Sequence, residues 1–224
     1  MNKLTLIAFC TTLSFAGAHV LAQTPSPILM PTVPPTSRSE PMTVPAPSKN
    51  MLSRADSRLL NELAESNAGA ISTGRIALER SQNSPVKVYA QRMVDDHTSA
   101  QTELRALASS KGLAIPSDAE LMRKAPSHGL TRKSGSDFDQ AYAENVAAKD
   151  HGRTLKLLEK AQRETADPDI KALALKMIPS VEEHVRTAAT LPGAQKASAK
   201  VMKTHAKDSA KTARTLERDA TKVR

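Results

Sequence analysis

The 224-residue chain contains one cysteine, Cys10, no tryptophan, three phenylalanines, two tyrosines and eight glycines. A single thiol excludes an internal disulfide, so any folded core must hold by packing alone. Aromatic residues at 2% are too few for a sandwich or barrel, whose strands draw on them, and so few glycines leave little material for tight turns. Acidic charge is also short: 32 Lys and Arg against 23 Asp and Glu give a net charge of +9. The composition points to an all-helical protein.

The first 22 residues, MNKLTLIAFCTTLSFAGAHVLA, carry one Lys, an apolar run from Leu4 to Gly17, and Val20 and Ala22 at small-residue positions. The pattern is that of a secretory signal cleaved after Ala22, and the run is too short to span a membrane. Cleavage would remove Cys10, leaving no thiol nucleophile. The expected location is outside the cytoplasm, in the periplasm, with outer-membrane association open. Residues 23–52 follow as a spacer: the stretch to Asn50 holds eight of the fourteen prolines and has no period, which favours extended conformations over a packed core.

Helical periodicity begins at Ser53. Leu59, Leu60, Leu63, Ala64, Ala68 and Ile71 predict a first helix over 53–82. Ser84 before Pro85 reads as an N-cap with proline at the first helical position, so a second helix starts at 85 and stops at Gly112. A long crossover with at most one short helical turn leads to a third helix opening near Ser136 or Asp137. Asp167 and Pro168 repeat the cap device for a fourth, which Pro179 should kink and Leu191, Pro192 and Gly193 end. Short, long and short connections between four amphipathic helices predict a ferritin-like four-helix bundle over 53–192, followed by a basic C-terminal helix over 193–224.

His97, His151 and His184 fall on the apolar stripes of three different helices, and each directly follows a carboxylate, Asp96, Asp150 and Glu183. The turn between the third and fourth helices lies near Asp167, placing His151 sixteen residues before it and His184 seventeen after. In an antiparallel pair both then stand at one height, about 25 Å from the turn at ~1.5 Å per residue. His97 is also near mid-bundle, so the three rings can share a layer. That layer admits two readings: core histidines bonded to neighbouring carboxylates or carbonyls, or metal ligands with Asp96, Asp150 and Glu183 as further ligands or orienting groups. The di-iron pattern, a Glu three residues before each His, is missing, since Val94, Ala148 and Val181 occupy those positions.

Three blocks, SPVKVYAQRMVDDHTSAQTELRALASSKGLAIP, SGSDFDQAYAENVAAKDHGRTLKLLEKA and DPDIKALALKMIPSVEEHVRTAATL, resemble the conserved blocks of the domain of unknown function family 4142. The resemblance spans about residues 57–191, in order. It implies a bacterial, exported, ferritin-like bundle of the periplasm or outer membrane, and no settled activity. The recurring histidines of that family correspond to His97, His151 and His184. A carboxylate common in its first helix, just before the glycine matched by Gly74, is replaced here by Ala70 to Thr73, which leaves that helix without an obvious ligand.

Enzyme motifs are absent. GAISTGR, residues 69–75, lacks the Lys and Ser/Thr of a phosphate loop and lies within a helix, and there is no nucleophile elbow or dinucleotide fingerprint. The C-terminal segment is the other candidate for function. Lys196, Lys200, Lys203, Lys207, Lys211, Arg214, Arg218 and Lys222 recur at spacings of four and three, forming one basic stripe with Val201, Met202 and Leu216 on the far side. Mutual repulsion predicts a tail frayed by itself, separable from the bundle, and ordered on an anionic surface such as lipid headgroups or lipopolysaccharide. With no aromatic for base stacking, nucleic acid is not an expected partner. Two functions follow: a non-enzymatic envelope protein anchored by its tail, or a metal- or cofactor-binding bundle of redox or stress type.

Overall fold

The computed structural model describes residues 52–222; the expected signal and nearly all of the proline-rich spacer lie outside the described residues. Every regular element among the described residues is helical. Helices α1 (Arg54–Arg80) and α2 (Ser84–Ser110) form a hairpin. A crossover carries α3 (Asp118–Lys124) and a 3-10 turn at Leu130–Arg132. A long helix then begins as α4 (Gly135–Ala141), widens into a π-helical segment over Tyr142–Asp150, and continues as α5 (His151–Glu164). It forms a second hairpin with α6 (Pro168–Ala188), and α7 (Gln195–Lys222) closes the chain.

The helix ends follow local chemistry. Ser53 caps α1 by accepting from the Asp56 amide, Asp167 caps α6 by accepting from the amides of Asp169 and Ile170, and Gly112 ends α2's turn at a left-handed φ of 74°. At the start of α2 the cap is one residue earlier than the sequence suggests. Asn83, whose side chain accepts from the Val86 amide at 3.2 Å, holds the position expected for Ser84. Ser117 and Glu120 make a reciprocal capping box that secures α3 within the crossover. The Lys111 ammonium joins the end of α2 to the start of α6, reaching Asp167 at 2.8 Å and Asp169 at 2.5 Å. The sequence also gave no sign of the π-helical segment.

Two apolar clusters make the core. One gathers Leu60, Leu63, Leu104, Leu121, Leu158 and Val181, and the other Val86, Tyr89, Met93, Phe138, Tyr142 and Leu191. The hairpin α1–α2 closes tightly at Gly74, where a Cβ would stand 3.0 Å from the Val94 side chain and 3.1 Å from the Ala90 carbonyl. Between the clusters lies a polar layer. His97 follows Met93 of one cluster and precedes Leu104 of the other, and Asn67 on α1 faces it across the hairpin. A core interrupted at mid-height by amides and imidazoles gives up apolar contact there, and its polar groups must find partners within the layer.

The C-terminal segment differs from the expectation of a frayed, separable tail. Helix α7 packs on α5, α6 and the π-helical segment, burying Ser198, His205 and Thr212. His205 bridges two carboxylates, with Nδ1 2.5 Å from Glu159 and Nε2 2.6 Å from Glu182. Gly152 lets the helices approach, since a Cβ there would meet Val201 at 2.7 Å. Intramolecular acids and a small-residue contact therefore order α7 without an external surface. Lys196, Lys200, Lys203, Lys207, Lys211, Arg214 and Arg218 are all exposed, on the side opposite the buried one; the side chain of Lys222 lies outside the described part.

Candidate metal centre

The rings of His97 on α2, His151 at the start of α5 and His184 on α6 meet in the polar layer, with centroids 5.2 to 5.3 Å apart. All three are almost completely buried. One ring nitrogen from each lies within 4.8 Å of the others, and His97 Nε2 is 3.2 Å from His151 Nε2. Their shared height is that given by counting residues from the turns. The phenol of Tyr89 reaches the backbone oxygen of His184 at 3.2 Å and steadies α6 beside the cluster.

Burial sets the charge state. It depresses the basicity of His97 well below the ordinary imidazole value, with the neighbouring rings adding to the effect, and takes His151 down to about 3. For His184 burial again lowers the value and outweighs the opposing pull of Asp96. Three neutral imidazoles carry one N–H each, and the acceptor beside each ring decides which nitrogen bears it.

For His97 the decision starts at the surface. Arg105 grips the Asp118 carboxylate at 2.7 Å. Burial would raise the Asp118 carboxyl, but its hydrogen bonds from Arg105 and Gln101 prevail and hold it below the usual range, so it only accepts. Gln101 therefore turns its amide nitrogen to Asp118, at 3.1 Å, and its oxygen to Asn67 Nδ2, at 3.3 Å. Asn67 in turn offers Oδ1 to His97 Nδ1 at 2.9 Å. Only a donor fits there, so Nδ1 carries the proton and Nε2 is a bare lone pair.

The other two rings obey the same logic. His151 Nδ1 donates to the Val146 carbonyl, 3.0 Å away and five residues back where the π-helical segment runs into α5. Its Nε2 is bare. His184 Nε2 donates to Asp96 at 2.8 Å, on a carboxylate also held by Arg92, which leaves His184 Nδ1 buried without any hydrogen-bond partner. Two lone pairs therefore confront each other at 3.2 Å with no proton between them, and His184 Nδ1 is a further buried nitrogen without a partner. An unsatisfied buried acceptor such as His184 Nδ1 costs about 1–3 kcal/mol.

This donor set fits a metal ion. Nitrogens bound at about 2.1 Å in a tetrahedral site stand roughly 3.4 Å apart, close to the 3.2 Å of His97 and His151. The wider separations, up to 4.8 Å, need side-chain shifts totalling about 1.4 Å to reach that spacing. Each ring is tied through its far nitrogen to an amide, a carbonyl or a carboxylate, the arrangement that orients metal-bound histidines. Neutral imidazole suits zinc, copper, iron and nickel.

Of the carboxylates flagged beside the histidines, Asp96 alone touches a ring of the cluster. Asp150 points to His128 Nε2 at 2.6 Å and to Arg153, and Glu183 points to Arg186 at 3.0 Å and Thr187 at 3.1 Å. Sequence reasoning missed Asn67 and Gln101. Both were visible as amides on otherwise apolar stripes, Gln101 one turn after His97. The Val146 carbonyl had no signature, because only the π-helical turn brings it to His151.

A family model described as a domain of unknown function, DUF4142, matches residues 41–191. The chain belongs to that family. Its matched region ends at Leu191, so the three histidines lie inside it and α7 beyond it. No curated protein and no solved structure matches the chain. In this DUF4142 chain α1 supplies Asn67, an orienting amide, to the polar layer.

Proposed function

We propose that the protein is a metal-binding helical bundle, exported to the bacterial envelope, in which His97, His151 and His184 hold one divalent first-row transition-metal ion. The observation that carries this reading is the buried cluster itself: one ring nitrogen of each histidine lies within 4.8 Å of the others, each ring is held by a hydrogen bond from one of its nitrogens, and His97 Nε2 and His151 Nε2 stand 3.2 Å apart. Asp96 orients His184, while Asn67, Gln101 and Asp118 orient His97. Two hairpins joined by a crossover support a ferritin-like connectivity, with imidazoles replacing the carboxylates of the di-iron layer. A bound ion would supply Lewis acidity or redox chemistry at this layer. The secretory pattern of residues 1–22 supports export, and no helix among the described residues is long and apolar enough to cross a membrane.

The test is metal content by plasma mass spectrometry, on protein purified without a histidine tag, for the wild type and the His97, His151, His184 triple alanine variant. Metal near one equivalent that vanishes in a variant still helical by circular dichroism is the expected result. Protein that stays empty after incubation with iron, copper and zinc refutes the reading and returns the histidines to a purely structural role.

A second reading concerns α7. Its buried face is committed to the bundle while seven basic side chains remain exposed on the other, which favours electrostatic attachment to anionic headgroups or lipopolysaccharide without insertion of an apolar face. Co-sedimentation with anionic vesicles, lost when Lys200, Lys203, Lys207 and Lys211 are changed together to Glu, tests it. Binding that survives the reversal refutes it.

A further inference from the structure

Three nitrogen donors make an incomplete shell. Closed structural zinc sites use four protein ligands, whereas sites that admit an outside ligand use three. Among the described residues no fourth His, Cys, Asp or Glu joins the cluster, and the amide oxygen that α1 brings to the layer, Asn67 Oδ1, already accepts from His97. The fourth position must come from elsewhere.

The two sides of the layer differ. Beside His184 the space is only about 30 Å³, lined by Asp96, His97, Ala100, Met177, Ser180 and Val181, too small for more than about one water. On the other side His97 and His151 form the inner wall of a cavity of about 270 Å³ between α1 and the long helix, with Ala70 on its side and Glu62, Glu65 and Asp150 around it. Glu65 is exposed, so the cavity leads from solvent to the two rings whose Nε2 atoms face each other. Asp150 and Arg153, which both line the cavity, pair with each other, whereas Glu62 and Glu65 form no ion pair among the described residues and are left to draw in a cation.

We infer that the ion held by the three histidines keeps one coordination position open to this cavity, for water or a small anion. The inference rests on the metal reading and extends it from a binding site to one that exchanges ligands. Charge favours it: three neutral imidazoles leave a divalent ion uncompensated in a buried layer, and an anionic fourth ligand offsets that. The carboxylates at the mouth speed the arrival of the cation and oppose the arrival of the anion, so they act on the two steps in opposite directions.

The experiment loads the full-length protein with cobalt(II), whose visible bands report coordination, and titrates it with azide. In the wild type the bands should appear and then shift saturably with azide. Ala70→Phe, which fills the cavity, should keep the bands and lose the azide shift. Glu62→Gln with Glu65→Gln, both near or at the surface, should slow cobalt uptake several-fold to about tenfold at low ionic strength and tighten azide binding. Cobalt bands that azide leaves unmoved in the wild type overturn the open position while the metal site stands. A shift that persists in a folded Ala70→Phe protein, or azide binding unchanged in the double Gln variant, also overturns it. If no cobalt is retained at all, the metal reading itself fails and this inference with it.

Discussion

Replacing Asn67 with Leu separates a metal layer from a merely structural one. Leu has the same branched four-atom skeleton as Asn, though with bulkier methyl groups, and neither donates nor accepts, so the change removes the acceptor that fixes the proton on His97 Nδ1. In the metal-free variant His97 is free to move its proton to Nε2, which stands 3.2 Å from the bare His151 Nε2, and a direct N–H···N bond forms. That new bond offsets the lost one, while Gln101 Oε1 loses the donor it had in Asn67. The net change in stability should therefore be small, about 1 kcal/mol. Metal binding suffers more, because the ion must break the new bond and drive a proton back to a nitrogen with no acceptor. A penalty of about 1.4–2.8 kcal/mol is a 10- to 100-fold weaker Kd. Competition against a chromophoric chelator measures the affinity, urea unfolding the stability, and long-range proton–nitrogen NMR the tautomer. Loss of about 3 kcal/mol of stability with Kd unchanged within twofold would refute the reasoning.

Four further outcomes are expected. In chelator-treated protein, stability should fall as pH drops below the ordinary histidine value of about 6.5, because the unfolded chain takes up protons that folded His151, lowered to about 3, does not. Each such histidine contributes up to about 1.4 kcal/mol per pH unit, so a urea midpoint that stays flat between pH 7 and 5 contradicts the buried neutral layer. His205→Leu leaves buried Glu159 with only Ser209 as a partner and should loosen α7 by about 3 kcal/mol, seen as faster hydrogen exchange over residues 195–212 while α1 is unchanged. Gly152→Ala should push Val201 away and cost about 1–3 kcal/mol in thermal unfolding; a neutral effect would mean α7 does not pack there. Deleting residues 194–224 should lower the unfolding midpoint, since it exposes the α5 and α6 surfaces that α7 covers.

Much of the layout was legible because it rests on local rules. Ser53, Asp167 with Pro168, and Gly112 mark helix ends through backbone groups within a few residues, and the structure uses all three. The height of the histidines follows from 1.5 Å per residue counted from a turn, which is why His151 and His184 meet. The cap of α2 moved from Ser84 to Asn83 because two neighbouring residues both have capping side chains, and only the entering chain geometry selects between them. The tail was misjudged for a different reason. Counting like charges along α7 captures repulsion within the helix but not His205 clasped by Glu159 and Glu182, residues 46 and 23 positions away.

The sequence by itself determined the helical class, the two hairpins, the layer of three histidines and the basic stripe, since periodicity and caps act over one or two turns. Only the tertiary structure decided the direction of each ring's lone pair. That direction depends on acceptors brought from a distance: the chain from Arg105 through Asp118, Gln101 and Asn67 to His97, the Val146 carbonyl presented by a π-helical turn, and Asp96 reaching His184 across two helices. A proton sits on one nitrogen or the other according to what faces it, and the facing groups are set by packing between helices, which no spacing along the chain encodes.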